Sequence, residues 1–302
     1  MTEPLLQRTA QPPADGERWT VLRMILWSAG YLAEKGVDRA RLEAEHLLAD
    51  TLGTGRMELY LDFARPLTPQ ELEAHRPRLL RRGRREPLQY IRGSTAFRNL
   101  ELTTDPRVLI PRPETEELVG EVLSWAEGRG SLRALDVGTG SGCIALSLAL
   151  EGDFQQVVAT DVSAPALEVA AQNRDRYREV GGQTVEFRQG PLLAPVAPGE
   201  TFHVVVSNPP YVARSEAADL SPEVREWEPE GALFAGREGL DVVLPLIDGV
   251  PGVLAPGGLL ALELGQAQTE AVASRLDAGG IFKRVQVKKD LSGRDRFVLA
   301  ER

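Results

Sequence analysis

The amino-acid sequence predicts an α/β protein in which a mostly parallel, seven-stranded sheet, covered by helices on both faces, is preceded by a small all-α region and a β-hairpin. Three observations lead there. From about Arg133 onward, short apolar runs alternate with segments of helical period, the pattern of strands joined by crossover helices. Before Arg85 the apolar residues recur at helical spacing only. Between these regions, residues 87–110 alternate β-favouring side chains around Gly93-Ser94 and Phe97–Leu100, as a hairpin does. The expected organisation is a helical bundle over 1–86, a hairpin linker over 87–110 and the sheet domain over 111–302.

Taken in order, the opening MTEPLLQRTAQPPADGE has neither a basic start followed by an apolar core nor a spanning segment. It reads as a disordered tail, 1–17, on a cytoplasmic protein. Val21, Leu22, Ile25 and Leu26, then Leu42, Leu47 and Leu48, then Leu72, Leu79 and Leu80 mark helices, separated by breaks at Gly36-Val37-Asp38, Gly53-Thr54-Gly55 and Pro66–Pro69. A dense basic block, Arg76–Arg85, closes the bundle; a solvated helix face followed by a linker accounts for it better than a patch for an acidic protein or RNA. Pro111–Glu117 has the prolines and carboxylates that favour a helix N-terminus. Strands are expected at 134–137, 156–162, 185–189, 202–207, 259–264, 282–288 and 296–300, and helices at 143–150, 165–180, 240–253 and 266–278. Only a short turn, Asp290–Asp295, separates the last two strands, so one of them runs antiparallel to the rest.

Composition narrows the function. The chain has 302 residues, 42% of them hydrophobic and 26% charged, and a net charge of -9, which argues against a protein whose main task is gripping nucleic acid. Cys143 is the only cysteine, which excludes an internal disulfide and a cysteine-built metal site. His46, His75 and His203 lie far apart without ligand spacing, so they read as packing or surface residues and no metal is expected.

Two stretches carry chemistry. Phe202–Tyr211, FHVVVSNPPY, is a buried-looking strand that stops abruptly at Asn208. Pro209 forces Asn208 into an extended conformation, and neither proline can donate to a sheet ladder, so the strand end is stiff. Asn208 then sits at the carboxyl end of a parallel strand, where open α/β sheets bind ligands, although Asn and Pro also end ordinary strands in turns. Upstream, the loop Gly138-Thr139-Gly140-Ser141-Gly142 follows a strand and opens a helix, and its glycines allow close backbone approach to a ligand. Its spacing is not that of a dinucleotide fingerprint, and no Lys-Ser or Lys-Thr follows as in a phosphate loop. Asp161 ends the next strand, where a carboxylate accepts hydrogen bonds from both hydroxyls of a ribose. Loop and acid together describe a nucleoside site whose 5' substituent is not a phosphate. Cys143, with no base nearby in sequence, reads as packing.

The order DVGTGSG, Asp161, SNPPY resembles a class I S-adenosylmethionine-dependent methyltransferase acting on a planar nitrogen. More specifically, PLQYIRGSTAF, LIPRPETEEL, LDVGTGSGCIALSLA, SNPPYV, EPEGALFAGREGLD, LAPGGLLALELG and KDLSGRDRFV resemble, in order, the peptide chain release factor glutamine N5-methyltransferases over nearly everything from residue 87 onward. The resemblance implies a Rossmann-like methyltransferase domain over 111–302 and methyl transfer from S-adenosylmethionine, leaving S-adenosylhomocysteine, to the Gln of the release factor Gly-Gly-Gln motif. It implies that Gly138, Thr139, Gly140, Ser141 and Gly142 line the methionine part of the cofactor and Asp161 holds its ribose. Asn208, Pro209, Pro210 and Tyr211 would hold the substrate glutamine, with Asn208 and Pro209 catalytic and Asn208 also beside the cofactor. At the place where the family usually has a polar residue and then an apolar one beside the adenine, this chain has Gln189-Gly190-Pro191-Leu192. Pro191 offers no side-chain hydrogen bond, which leaves Leu192 to pack against the ring. Release factors are the implied partners, with neither a membrane nor a direct nucleic-acid substrate. Three rival readings are a DNA or rRNA exocyclic-amine methyltransferase, a non-catalytic module binding nucleosides or translation factors, and, more distantly, a nicotinamide oxidoreductase.

Overall fold

The computed structural model describes residues 18–302, and the tail expected over 1–17 lies outside them. The described residues pack as two compact units, one formed by those from 18 to 93 together with Pro222–Trp227, the other by Ser94–Ser221 and Glu228–Arg302.

The first unit is helical: α1 Val21–Glu34, α2 Ala40–Leu52, α3 Pro69–Gly83, and the turns Arg56–Leu59, Leu88–Arg92 and Pro222–Trp227. Two of its helices begin where a threonine satisfies free amides: Thr20 accepts from the Arg23 amide ahead of α1. Thr68 and Glu71 cap α3 reciprocally, with Pro69 at the first position. Half of the arginines of the basic block are paired within the unit. Arg82 is buried and paired with Glu43 and Glu223, Arg85 pairs with Glu223 at 2.6 Å, and Arg81 pairs with Glu86. Of the block, Arg76, Arg81 and Arg84 are exposed.

His75 is a core residue of this unit, with Nε2 3.1 Å from the Ser28 hydroxyl and Nδ1 3.4 Å from that of Thr51. Burial, followed by the positive charge of Arg78, lowers its pKa from 6.5 to about 4. The fold therefore holds a neutral ring, whereas the unfolded chain takes up a proton below 6.5. The resulting stability is present above pH 6.5 and is lost as pH falls from there towards 4, in total about 3 kcal/mol. Urea unfolding of wild type and His75→Gln at pH 7.5 and 4.5 checks this, since the variant should lose less stability between the two conditions than wild type does.

The second unit opens with the hairpin β1 Ser94–Phe97 and β2 Leu100–Thr103 and continues through α4 Pro113–Ala126. There follow β3 Leu132–Val137, α5 Cys143–Glu151, β4 Phe154–Asp161, α6 Ala164–Arg176, β5 Val185–Gln189 and β6 Phe202–Ser207. After β6 come the short helix Glu230–Leu233, α7 Val243–Gly249, β7 Leu254–Glu263, α8 Thr269–Ala278, β8 Arg284–Lys289 and β9 Asp295–Glu301. The seven-stranded sheet has the order β5-β4-β3-β6-β7-β9-β8. Only β9 opposes the other strands, pairing antiparallel with both β7 and β8, as the short turn between the last two strands requires.

Successive side chains of the central strands point to opposite faces, and both faces are apolar. Ala134, Val157, Val204, Val206 and Leu259 join α4 and α5 in one core, while Leu135, Val158, Val205, Leu260 and Leu262 join α7 and α8 in the other. Some bounds shift, most at β7, which begins at Leu254 instead of 259, and at α7, which is shorter than the helix expected over 240–253, and two places differ in kind from the sequence expectation. Leu88–Arg92, inside the stretch expected as hairpin, is a helical turn of the first unit. Pro222–Trp227, inside the expected sheet domain, also packs with the first unit.

Candidate active site

The loops after β3, β4, β5 and β6 all leave the carboxyl edge of the parallel sheet. Because β3 lies between β4 and β6, the glycine loop has Asp161 on one side and Asn208 on the other. This is the switch point at which an open α/β sheet forms a crevice.

The glycine loop is held through its backbone amides, mostly by the end of β4. The amides of Gly138 and Thr139 donate to the Thr160 carbonyl at 2.8 and 3.0 Å, that of Gly140 to Asp161 Oδ2 at 2.9 Å, and that of Gly142 to the Thr139 carbonyl at 2.9 Å. Below the loop, Asp136 Oδ2 accepts from the Thr139 hydroxyl at 2.6 Å and from the Ala145 amide at 3.2 Å, so the first turn of α5 is capped from inside. Burial raises the pKa of Asp136 to about 7. A phosphate cradle needs free amides, and here those of Gly138, Thr139, Gly140 and Gly142 are already engaged. What remains is carbonyl oxygen and open space. Gly138 and Gly140 have φ of 76° and 55°, and a Cβ added to either would meet nothing within 4 Å. A ligand with an ammonium group and a bulky body suits such a loop better than a phosphate does. The methionine end of S-adenosylmethionine fits this chemistry.

Asp161 accepts the Gly140 amide on Oδ2 and the Ser163 amide on Oδ1 at 2.8 Å, which fixes its carboxylate at the mouth of the crevice. Each oxygen keeps lone-pair capacity for a hydroxyl. Val162, next to it, is 68% exposed, an apolar side chain with no burial to explain it. Leu192 has a left-handed φ of 49°, and its carbonyl accepts from the Thr160 hydroxyl at 3.0 Å. Its side chain packs partly against the core on the α7 and α8 face. Cys143 is buried, which pushes its thiol up to about 12 and leaves it inert.

At the end of β6 the Ser207 hydroxyl donates to the Val137 carbonyl at 2.6 Å, tying the Asn208 loop to the root of the glycine loop. Asn208 is half-buried, and its Nδ2 donates to Thr115 Oγ1 at 3.0 Å. Thr115 in turn donates to Glu263 Oε2 at 2.7 Å. Among the described residues no donor reaches Asn208 Oδ1 or the Pro209 carbonyl. Pro210 and Tyr211 continue the loop. The Tyr211 carbonyl accepts from Gln268 Nε2 at 2.8 Å, and the Arg296 guanidinium lies 5.9 Å from its ring centroid. Burial pushes the Tyr211 phenol up to about 12, so the ring is a neutral wall. Nor is there, among the described residues, a cluster of His, Cys, Asp or Glu able to hold a metal.

Gly239, with φ 74°, packs against this brace. A Cβ there would lie 2.1 Å from the Tyr211 carbonyl oxygen and 2.2 Å from Gln268 Nε2. Gly239→Ala is therefore expected to cost about 2–4 kcal/mol of stability, from left-handed strain plus overpacking. A thermal melt checks it, and an unchanged Tm would show that the brace yields freely.

Sheet order, glycine loop and carboxyl-edge crevice define the second unit as a class I methyltransferase. Residues 119–223 match the family model of the methyltransferase small domain, and residues 24–93 that of the PrmC N-terminal domain. The chain belongs to the release factor glutamine methyltransferase family. It is 43% identical to the release factor glutamine methyltransferase of Geobacter sulfurreducens over 93% of this chain and 96% of that protein, and 40% identical to that of Chlorobaculum tepidum over 92% and 96%. Among solved structures, the hMettl16 catalytic domain in complex with an RNA hairpin superimposes with a TM-score of 0.52 at 18% identity, over 77% of this chain and 80% of that one. The Thermus thermophilus 16S rRNA N2 G1207 methyltransferase in complex with AdoMet and guanosine gives 0.50 at 18% identity, over 69% and 49%. These two likenesses are of fold.

Proposed function

We propose that this protein transfers a methyl group from S-adenosylmethionine to the side-chain amide nitrogen of the glutamine in the Gly-Gly-Gln motif of peptide chain release factors, in the cytoplasm where those factors act. The observation that carries this reading is the pair of unengaged acceptors, Asn208 Oδ1 and the Pro209 carbonyl, on a stiff strand end beside an open glycine loop.

When bound, S-adenosylmethionine supplies a methyl group on a positively charged sulfur. Gly138–Gly142 hold its methionine end, Asp161 its ribose hydroxyls, and Val162 and Leu192 offer apolar contact to its base. The residues on the Asn208 side address a different problem. A carboxamide nitrogen is a poor nucleophile because its lone pair is delocalised into the carbonyl. Two fixed acceptors, one for each N–H, orient that nitrogen and favour the positive charge that builds on it as the bond to carbon forms and the carbon–sulfur bond breaks; the methylated nitrogen then gives up one hydrogen as a proton to water. Pro210 has no N–H to compete for the acceptors, and proline stiffness keeps them in place. Tyr211 walls the glutamine stem. Positioning replaces a general base.

The same two acceptors would serve an exocyclic amine of adenine; the family relationship and the net charge of -9 favour glutamine. Mass spectrometry of the Gly-Gly-Gln peptide, after incubation of an intact release factor with enzyme and S-adenosylmethionine, tests the choice. One methyl group on the glutamine is expected. An unmodified peptide, with methyl transfer to DNA or ribosomal RNA instead, would sink the reading.

A further inference from the structure

Asn208 can serve as an acceptor only if its carboxamide is turned the right way round, and a carboxamide has no intrinsic preference between its two orientations. We propose that Thr115 and Glu263 are positioning residues that hold the Asn208 amide with its oxygen towards the substrate. The proposal rests on the role of Asn208 given above.

Thr115, at the start of α4, and Glu263, at the end of β7, are 2% and 1% exposed. Thr115 has a single hydroxyl hydrogen, and the 2.7 Å bond to Glu263 Oε2 uses it. Its oxygen is then left to accept, and the Asn208 group 3.0 Å away must be the N–H side. Oδ1 is thereby directed away from Thr115 and remains free to accept. An ionised Glu263 is an acceptor only, so it sets the direction of both bonds. If Glu263 takes up a proton, its carboxyl can donate to Thr115 Oγ1, and the threonine hydrogen is released towards Asn208. The amide then gains by turning its oxygen to Thr115, which would present N–H to the N–H of the substrate and abolish the acceptor.

The surroundings make that proton accessible near neutrality. Burial, the largest influence, raises the carboxyl of Glu263 to about 7, while the Thr115 hydroxyl, Arg296 on β9 and Arg112 ahead of α4 lower it and Glu114 raises it. Tyr211 and Cys143 lie within the electrostatic reach of Glu263 and are themselves pushed up to about 12, chiefly by burial, so both are neutral in this range. The active, ionised form therefore prevails above about pH 7 and is lost as pH falls through that value.

The test uses the full chain and an intact release factor, with kcat, KM and S-adenosylmethionine affinity measured for Thr115→Val, Thr115→Ser, Glu263→Gln and Asn208→Ala between pH 6 and 9. Thr115→Val, matched in shape but without a hydroxyl, should lose at least about tenfold in kcat, with cofactor affinity and KM nearly unchanged. Thr115→Ser should stay within about threefold of wild type, a rescue that loss of packing would not give. Wild-type kcat should fall on the acidic side of about pH 7, and Glu263→Gln should abolish that fall. Near wild-type kcat in Thr115→Val, or an acidic limb that survives in Glu263→Gln, would overturn the relay. If Thr115→Val does not fold, the Glu263→Gln profile decides alone. Asn208→Ala separates the two claims: if it stays active the role of Asn208 itself is wrong, and if it is inactive while Thr115→Val is active only the relay is wrong.

Discussion

Asn208→Ala is expected to lower kcat for glutamine methylation by about 100-fold or more while leaving S-adenosylmethionine affinity within a few-fold of wild type. The size follows from what is removed. Truncation deletes one of two acceptors, and the survivor, the Pro209 carbonyl, can hold only one of the two amide hydrogens. The substrate nitrogen is then free to rotate about that single bond, and the alignment that substitutes for basicity is lost. Loss of one fixed polar group of this kind typically costs about 3–4 kcal/mol at the transition state. Cofactor binding should be spared, because the glycine loop and Asp161 are held by hydrogen bonds of β3 and β4 in which Asn208 takes no part. A labelled-methyl assay on a release factor, together with calorimetric titration of the cofactor, checks both halves. Near wild-type turnover would remove Asn208 from the chemistry. A proportionate loss of cofactor affinity would move it to the cofactor site instead.

The sheet and the two loops were legible in the sequence because their signals are local. A run such as Phe202–Ser207 needs only its own residues to be recognised as a buried strand, and the observed strand has those same ends. The glycines after β3 announce a close backbone approach, but only the structure tells what that approach is for. The amides of Gly138, Thr139 and Gly140 are spent on the end of β4 and that of Gly142 on Thr139, which leaves little of the loop's backbone to cradle a phosphate. Thr115 and Glu263 escaped sequence reasoning for a physical reason: they lie 93 residues before and 55 after Asn208, and nothing in PRPETEE or ALELG shows which hydroxyl meets which carboxylate. A hint existed, since Glu263 interrupts the apolar run of β7, and a charge in a central strand needs a reason. Short helices were missed throughout. Leu88–Arg92 and Pro222–Trp227, of 5 and 6 residues, are too brief to display a period, and they are held by tertiary packing.

Asp161→Ala should show the opposite split, with S-adenosylmethionine affinity weakened by about two to four orders of magnitude and turnover at saturating cofactor reduced far less. Two charge-assisted hydrogen bonds to ribose hydroxyls are removed, each worth about 1.5–3 kcal/mol. The carboxylate also does structural work, since Oδ1 and Oδ2 accept the Ser163 and Gly140 amides and so join the start of α6 to the glycine loop. Its removal frees both amides, and part of the lost affinity would then come from a loop that must be reordered on binding. Asp161→Asn apportions the two contributions. The asparagine oxygen can keep one amide, but its nitrogen cannot accept the other and cannot accept from a hydroxyl, so one loop bond and one ribose bond should survive. Its affinity is expected to fall between wild type and Asp161→Ala. Calorimetric titration of S-adenosylmethionine into the three proteins, with thermal melts to confirm folding, gives the comparison. A dissociation constant for Asp161→Ala within about fivefold of wild type would mean that the carboxylate holds the loop and not the ribose. The nucleoside reading of β4 would then have to rest on Val162 and Leu192 alone.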